Sequence, residues 1–113
     1  MANIIELTQA LYEGEVKQKK ELVMIDFYAP WCYPCQVLYP FIEKVSDYYG
    51  DRLPIYKVDI DNYPEIAEEH GIRGYPTLLL LREGTVVDSI SGKPNNPLVA
   101  LREFIDKHLP PQE

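Results

Sequence analysis

Two cysteines, Cys32 and Cys35, separated by two residues, constrain this chain more than any other feature. They are its only cysteines, and they sit where one structural pattern gives way to another. Upstream, Leu22-Val23-Met24-Ile25-Asp26-Phe27-Tyr28 reads as a buried strand, and downstream Val37 to Val45 carries apolar residues at helical spacing. Thiols so spaced at a strand-to-helix junction can pass between dithiol and disulfide, because their sulfurs meet within one turn. Cys32 falls at the exposed start of the helix, where unpaired N–H groups and the helix dipole favour thiolate over thiol, and Cys35 lies one turn in and more shielded. The thiolate is the nucleophile of disulfide exchange.

The alternative chemistry for a Cys-x-x-Cys pair is half of a zinc site. Zinc asks for four ligands, and only His70 and His108 remain, neither at a ligand-like spacing from the cysteines. Both histidines are expected at the surface or at helix ends. Two cysteines in one close pair also suit a redox site better than a structural disulfide framework.

The rest of the composition excludes other classes. With 113 residues, 46% of them hydrophobic, the chain is long enough for one domain over residues 1–113 with its own core. A net charge of −7 argues against nucleic acid, since phosphates call for Lys/Arg clusters. No stretch approaches the ~20 apolar residues of a membrane span. Met1 to Glu6 lacks the basic and apolar regions of a signal peptide. The expectation is a cytoplasmic protein, monomeric, with no nucleic-acid or membrane partner.

Taken in order, Ile4 and Ile5 begin a short edge strand, and Thr8 caps a helix reaching about Lys19, with Leu7 and Leu11 inward. The strand Leu22–Ala29, apolar on both faces except at Asp26, belongs in the middle of a covered sheet. The helix after Cys32 presents Leu38, Phe41, Ile42 and Val45, contains Pro40, and stops at Gly50. Pro54 to Ile60 reads as a second central strand, and Asn62-Tyr63-Pro64 opens a short helix closed by Gly71. Thr77–Leu81 and Val86–Ile90 flank the hairpin signal Glu83-Gly84-Thr85. Asn96-Pro97 starts a last helix with Leu98, Leu101, Ile105 and Leu109 inward, before a frayed tail, Pro110–Glu113. The order β-α-β-α-β-α-β-β-α predicts an α/β fold: a mixed sheet of about five strands flanked by four helices.

Two charged residues interrupt apolar strands. Asp26, if buried, has its proton affinity raised by desolvation and becomes a candidate proton acceptor for the second thiol; otherwise it marks an exposed strand face. Lys57, between Tyr56 and Val58, is either its counterpart or a snorkelling surface lysine.

The stretch Trp31-Cys32-Tyr33-Pro34-Cys35 resembles the active site of the thioredoxin family, whose usual form is Trp-Cys-Gly-Pro-Cys. The resemblance extends to Asp26-Phe27-Tyr28-Ala29, Pro40, Lys57, Gly71-Ile72-Arg73-Gly74-Tyr75-Pro76-Thr77, Gly84 and Gly92. It implies a thioredoxin fold and a dithiol oxidoreductase that reduces protein disulfides, with Cys32 attacking and Cys35 resolving. It implies that Asp26 and Lys57 form a buried pair beneath the cysteines and serve proton transfer. Pro76 would be cis and face the disulfide, and Trp31, Tyr33, Pro34, Gly74, Tyr75, Pro76 and Gly92 would form an apolar surface for substrate. No bound cofactor or metal is implied, since the cysteines carry the electrons. These would come from NADPH through a flavoprotein thioredoxin reductase, and the other partners would be disulfide-containing proteins.

Three positions depart from the usual pattern. Tyr33 stands for glycine, Gln36 for a common lysine or arginine, and Tyr75 for a smaller side chain. Such residues tune thiol acidity and partner choice, so an oxidising or isomerising thiol protein is the first competing reading. A redox-independent binding module built on the same fold is the second. A glutaredoxin fits less well, because no Gly-Gly glutathione site follows Pro76.

Overall fold

The computed structural model describes residues 3–110. Five strands, β1 (Ile4–Glu6), β2 (Val23–Tyr28), β3 (Ile55–Asp59), β4 (Thr77–Arg82) and β5 (Thr85–Ser91), form one sheet in the order β1-β3-β2-β4-β5. β1 and β2 run parallel to β3, whereas β2 pairs antiparallel with β4, and β4 with β5. The run that is apolar on both faces, β2, is therefore the central strand, and β1 lies at the edge as its shortness suggests. Four helices complete the fold: α1 (Gln9–Gly14), α2 (Tyr33–Tyr49), α3 (Pro64–Glu69) and α4 (Pro97–Asp106).

Alternation along β2 divides the core in two. Met24 points to a cluster with Leu38, Ile42 and Val45 of α2 and Leu101, Phe104 and Ile105 of α4. Val23, Ile25 and Phe27 point the other way, to Tyr12, Val16 and Ile66. Each fully buried Leu or Ile in these layers contributes about 2 kcal/mol. Asp26 shares the Met24 face, which turns it toward α2.

The structure corrects several expectations. The first helix does not reach Lys19: it ends at Gly14, a poor helix former, and a separate 3₁₀ turn follows at Val16–Gln18. Its buried side chain is Tyr12, while Leu11 is only half-buried. Leu98 does not point inward but is 36% exposed, because Pro97 takes the inward slot four residues before Leu101. Of the tail, Pro111 to Glu113 lies outside the described residues. α2 continues through Pro40, whose missing N–H leaves one carbonyl of the preceding turn without its helical donor.

The hairpin turn is made by Glu83 and Gly84, both at positive φ (51° and 77°), the backbone hand that suits a two-residue connection between twisted strands. A side chain at Gly84 would bring its Cβ within 2.9 Å of the Lys17 carbonyl oxygen. Gly84→Ala is accordingly expected to cost about 2 kcal/mol, from left-handed strain plus a backbone clash. Urea unfolding measures it; a stability equal to the parent would mean that the turn relaxes freely.

Candidate active site

The central strand delivers its last residues to the N-terminus of α2, and the cysteine pair occupies that junction. Cys32 is the N-cap of α2, in extended backbone (φ −89°, ψ 104°), and its Sγ accepts the Cys35 N–H at 3.3 Å. Sulfur thus takes the place of the usual oxygen cap and faces the unpaired donors of the helix start. Pro34 lies in the first turn, where a missing N–H costs nothing. Cys32 and Cys35 are joined as a disulfide.

Exposure does not separate the two cysteines, contrary to the reading that leaves Cys32 open: each is 5% exposed, with Tyr28, Ile60 and Tyr75 packed around them. Position on the helix separates them instead. Cys32 receives the backbone donor, and Cys35 lies one turn in, against the pocket that holds Asp26.

That pocket, about 370 Å³, is lined by Asp26, Tyr28, Ala29, Pro30, Cys35, Gln36, Tyr39 and Lys57. Asp26 is 2% exposed, and its Oδ1 has no hydrogen-bond partner among the described residues. Burial raises its pKa from 3.8 to about 7, against the lowering influence of Lys57 and with a further push from Glu6. The exposed-face reading of Asp26 is thereby excluded. Lys57 departs from the expected buried pair. It is register partner to Asp26, yet its side chain is 28% exposed and its ion pair, at 3.7 Å, is with Glu6. Its Nζ also stands 4.8 Å from the centre of the Tyr39 ring. Glu6 and Tyr39 were not singled out from sequence, although Tyr39 lies one helical turn after Cys35, a spacing that puts both on one face of α2.

Around the disulfide, Trp31 and Tyr33 are 67% and 73% exposed, and the Trp31 ring meets that of Tyr75 edge-on at 6.2 Å. The Tyr75–Pro76 peptide is cis, and Pro76 is buried. The Pro76 carbonyl accepts the N–H of Gly92 at 2.8 Å, and Thr77 Oγ1 donates to the Gly74 carbonyl at 2.6 Å. Gly74, Tyr75 and Gly92 border a groove of about 650 Å³ between the loop before β4 and strand β5. Gln36, which stands where a cation is frequent, donates instead to the Pro30 carbonyl at 3.0 Å.

The histidines face elsewhere. His70 ends α3 but is no surface residue: it is half-buried, bonded to the Tyr12 hydroxyl and edge-on to Phe27, and burial lowers its pKa. His108 meets Asp88 at 2.8 Å. Among the described residues no group of three or more His, Cys, Asp or Glu side chains could hold a metal, and no helix is long and apolar enough to cross a membrane.

This arrangement, a disulfide on a helix N-terminus that shares a pocket with a buried carboxyl and packs against the residue before a cis-proline, can be compared with known proteins. A sequence model of the thioredoxin family matches residues 3–107. The chain belongs to the thioredoxin family. It is 38% identical over 106 residues to the thioredoxin of Bacillus subtilis, covering 94% of this chain and 98% of that one. Thioredoxin 1 of Synechococcus elongatus is 36% identical over 103 residues, covering 91% and 94%. The crystal structure of Malassezia sympodialis thioredoxin superimposes with a TM-score of 0.85 at 33% identity, covering 96% of this chain and 92% of that one. The five-stranded mixed sheet with four helices is the thioredoxin fold. With its cysteine pair on the helix start, the protein is a dithiol–disulfide oxidoreductase.

Proposed function

We propose that this thioredoxin works as a single-domain, monomeric cytoplasmic reductant of protein disulfides, recharged with electrons from NADPH by a flavoprotein thioredoxin reductase. The observation that carries the reading is the Cys32–Cys35 disulfide at the start of α2, with Cys35 lining the same pocket as the buried Asp26.

In the reduced protein, the Cys32 thiolate attacks one sulfur of a substrate disulfide. A Cys32–substrate bond forms, and the other substrate sulfur leaves as a thiolate that takes a proton from water. Cys35 passes its proton to the Asp26 carboxylate, which lines the same pocket. The Cys35 thiolate then attacks Cys32 Sγ, releasing the second substrate sulfur and closing the Cys32–Cys35 disulfide. Two electrons have moved from the cysteine pair to the substrate, and the reductase restores them. A carboxyl with a pKa of about 7 is matched to taking and returning a proton at neutral pH. The exposed rings of Trp31 and Tyr33, with Pro34, Gly74, Tyr75 and Gly92 around the buried Pro76, offer an apolar collar in which an extended substrate segment settles.

The test is NADPH oxidation in the presence of a flavoprotein thioredoxin reductase and a disulfide-bonded protein substrate. Turnover that depends on this chain and vanishes in Cys32→Ser/Cys35→Ser is expected. A double variant that keeps its biological activity would instead identify a redox-independent binding module.

A further inference from the structure

Lys57 is held by groups that the exchange reaction itself does not use. β1, β3 and β2 place Glu6, Lys57 and Asp26 in one row, each opposite the next in register and on one face of the sheet. The Lys57 ammonium lies between two carboxylates, and the contact it makes is with the outer one, Glu6, at 3.7 Å. Tyr28 fixes that outer carboxylate by donating its hydroxyl to Glu6 Oε2 at 3.0 Å, and Tyr39 of α2 sets its ring 4.8 Å from Nζ. The Tyr28 ring lies 5.8 Å away. A cation over two aromatic faces and beside a carboxylate has little to gain by turning inward. Asp26 Oδ1, correspondingly, is left without a partner.

We propose that Glu6, Tyr28 and Tyr39 form a cage that holds the Lys57 ammonium off Asp26, and that this cage sets how tightly Asp26 binds the proton it takes from Cys35. Glu6 and Tyr39 are positioning residues: Tyr39 acts through Lys57, and Glu6 acts through Lys57 and by its own charge. The kinetic consequence rests on the reading of Asp26 as proton acceptor, but the cage itself does not. Among the described residues the other faces of Asp26 bring no competing charge: Leu78 is its partner on β4, and from α2 Cys35, Gln36 and the Tyr39 ring line the same pocket. On the Lys57 side the remaining charge is Asp59, two residues along the same face of β3.

Removing the cage frees a flexible four-carbon stem to swing its ammonium to Asp26. An opposite charge within ~4–6 Å lowers a carboxyl midpoint by one or more pH units. The experiment follows the Asp26 carboxyl carbon by NMR through a pH titration of the oxidised full chain. Glu6→Gln and Tyr39→Leu are expected to lower its midpoint, by roughly one pH unit for the first. Tyr39→Phe, which keeps the ring, should leave it in place.

Tyr39→Leu is the decisive variant because it changes no charge. Tyr39 also lines the Asp26 pocket, so the lysine's part is isolated by adding the substitution to Lys57→Met, where the cage predicts no further movement of the midpoint. An unmoved midpoint in Tyr39→Leu, or an equal shift with Lys57→Met already present, would overturn the cage. The proton-acceptor role is read separately: resolution at the parental rate in Asp26→Asn would remove it, while the titration still decides the cage.

Discussion

Cys35→Ser is expected to convert this thioredoxin from a catalyst into a trap. Cys32 keeps its place as N-cap, with the α2 donors around it, so the first attack on a substrate disulfide proceeds. The second attack has no nucleophile, and the Cys32–substrate disulfide accumulates. Turnover should fall roughly 10³-fold or more, because the two sulfurs act as one unit and losing either removes the cycle. Non-reducing gels and intact mass should show the covalent adduct, which a thiol reagent releases. Cys32→Ser should show the same loss of turnover with no adduct. If Cys35→Ser cycled at a comparable rate, or if Cys32→Ser formed the adduct, the division of labour between the sulfurs would be wrong. Because both cysteines are 5% exposed in the disulfide, solvent access gives no ground for the division; their different places on the helix do.

The second large effect concerns Asp26 and has a definite sign in pH. Its folded pKa, about 7, lies above the 3.8 of an ordinary aspartate, so the native state favours the protonated form. The stability this confers is full below about pH 4, declines as pH rises toward 7, and is gone above it. At about 1.4 kcal/mol per pH unit, the interval corresponds to roughly 4 kcal/mol of strain from a buried carboxylate at pH 8. Asp26→Asn removes that charge but buries an amide where Oδ1 has no partner, at a cost of about 1–2 kcal/mol. The variant should therefore be more stable than its parent by about 2 kcal/mol at pH 8, and no more stable at pH 4. Urea unfolding at the two pH values measures this. A difference independent of pH would mean that Asp26 is not the titrating group. The same substitution should slow resolution of the mixed disulfide at neutral pH by roughly 10²-fold, since no carboxylate is left to take the Cys35 proton.

Most of the fold was legible because its signals are local. The double-faced apolar run of β2, the Glu83-Gly84 turn, Pro64 and Pro97 at helix starts, and the cysteine spacing each act within a few residues. What escaped depends on partners distant in sequence. Nothing near Glu6 announces that it will capture Lys57; that follows from the register of β1 against β3, which brings together strands some fifty residues apart. Tyr12 was missed because the helix pattern carried Leu7 and Leu11, whereas its hydroxyl is satisfied only by Glu69 and His70 arriving with α3. The same contact half-buries His70, which was expected at the surface or at a helix end and does end α3. Burial of Cys32 likewise depends on Ile60 and Tyr75, which follow β3 and precede β4 at the same end of the sheet but far off in sequence. Asp26 was readable as an anomaly, but the pairing of Lys57 with Glu6 was not, since pattern alone cannot tell which of two carboxylates a lysine will choose.

The most direct test of the central claim is the equilibrium potential of the Cys32–Cys35 couple in defined thiol buffers. Trp31, the chain's single tryptophan, adjoins Cys32 and lies edge-on to Tyr75, so its fluorescence is expected to report the redox state. A reductant of protein disulfides should sit near the general thioredoxin value of roughly −270 mV. Tyr33, Gln36 and Tyr75 would then act mainly on partner choice. A value at or above about −180 mV, the range of protein disulfide isomerase, would contradict the proposed direction of electron flow and make the protein an oxidant or isomerase.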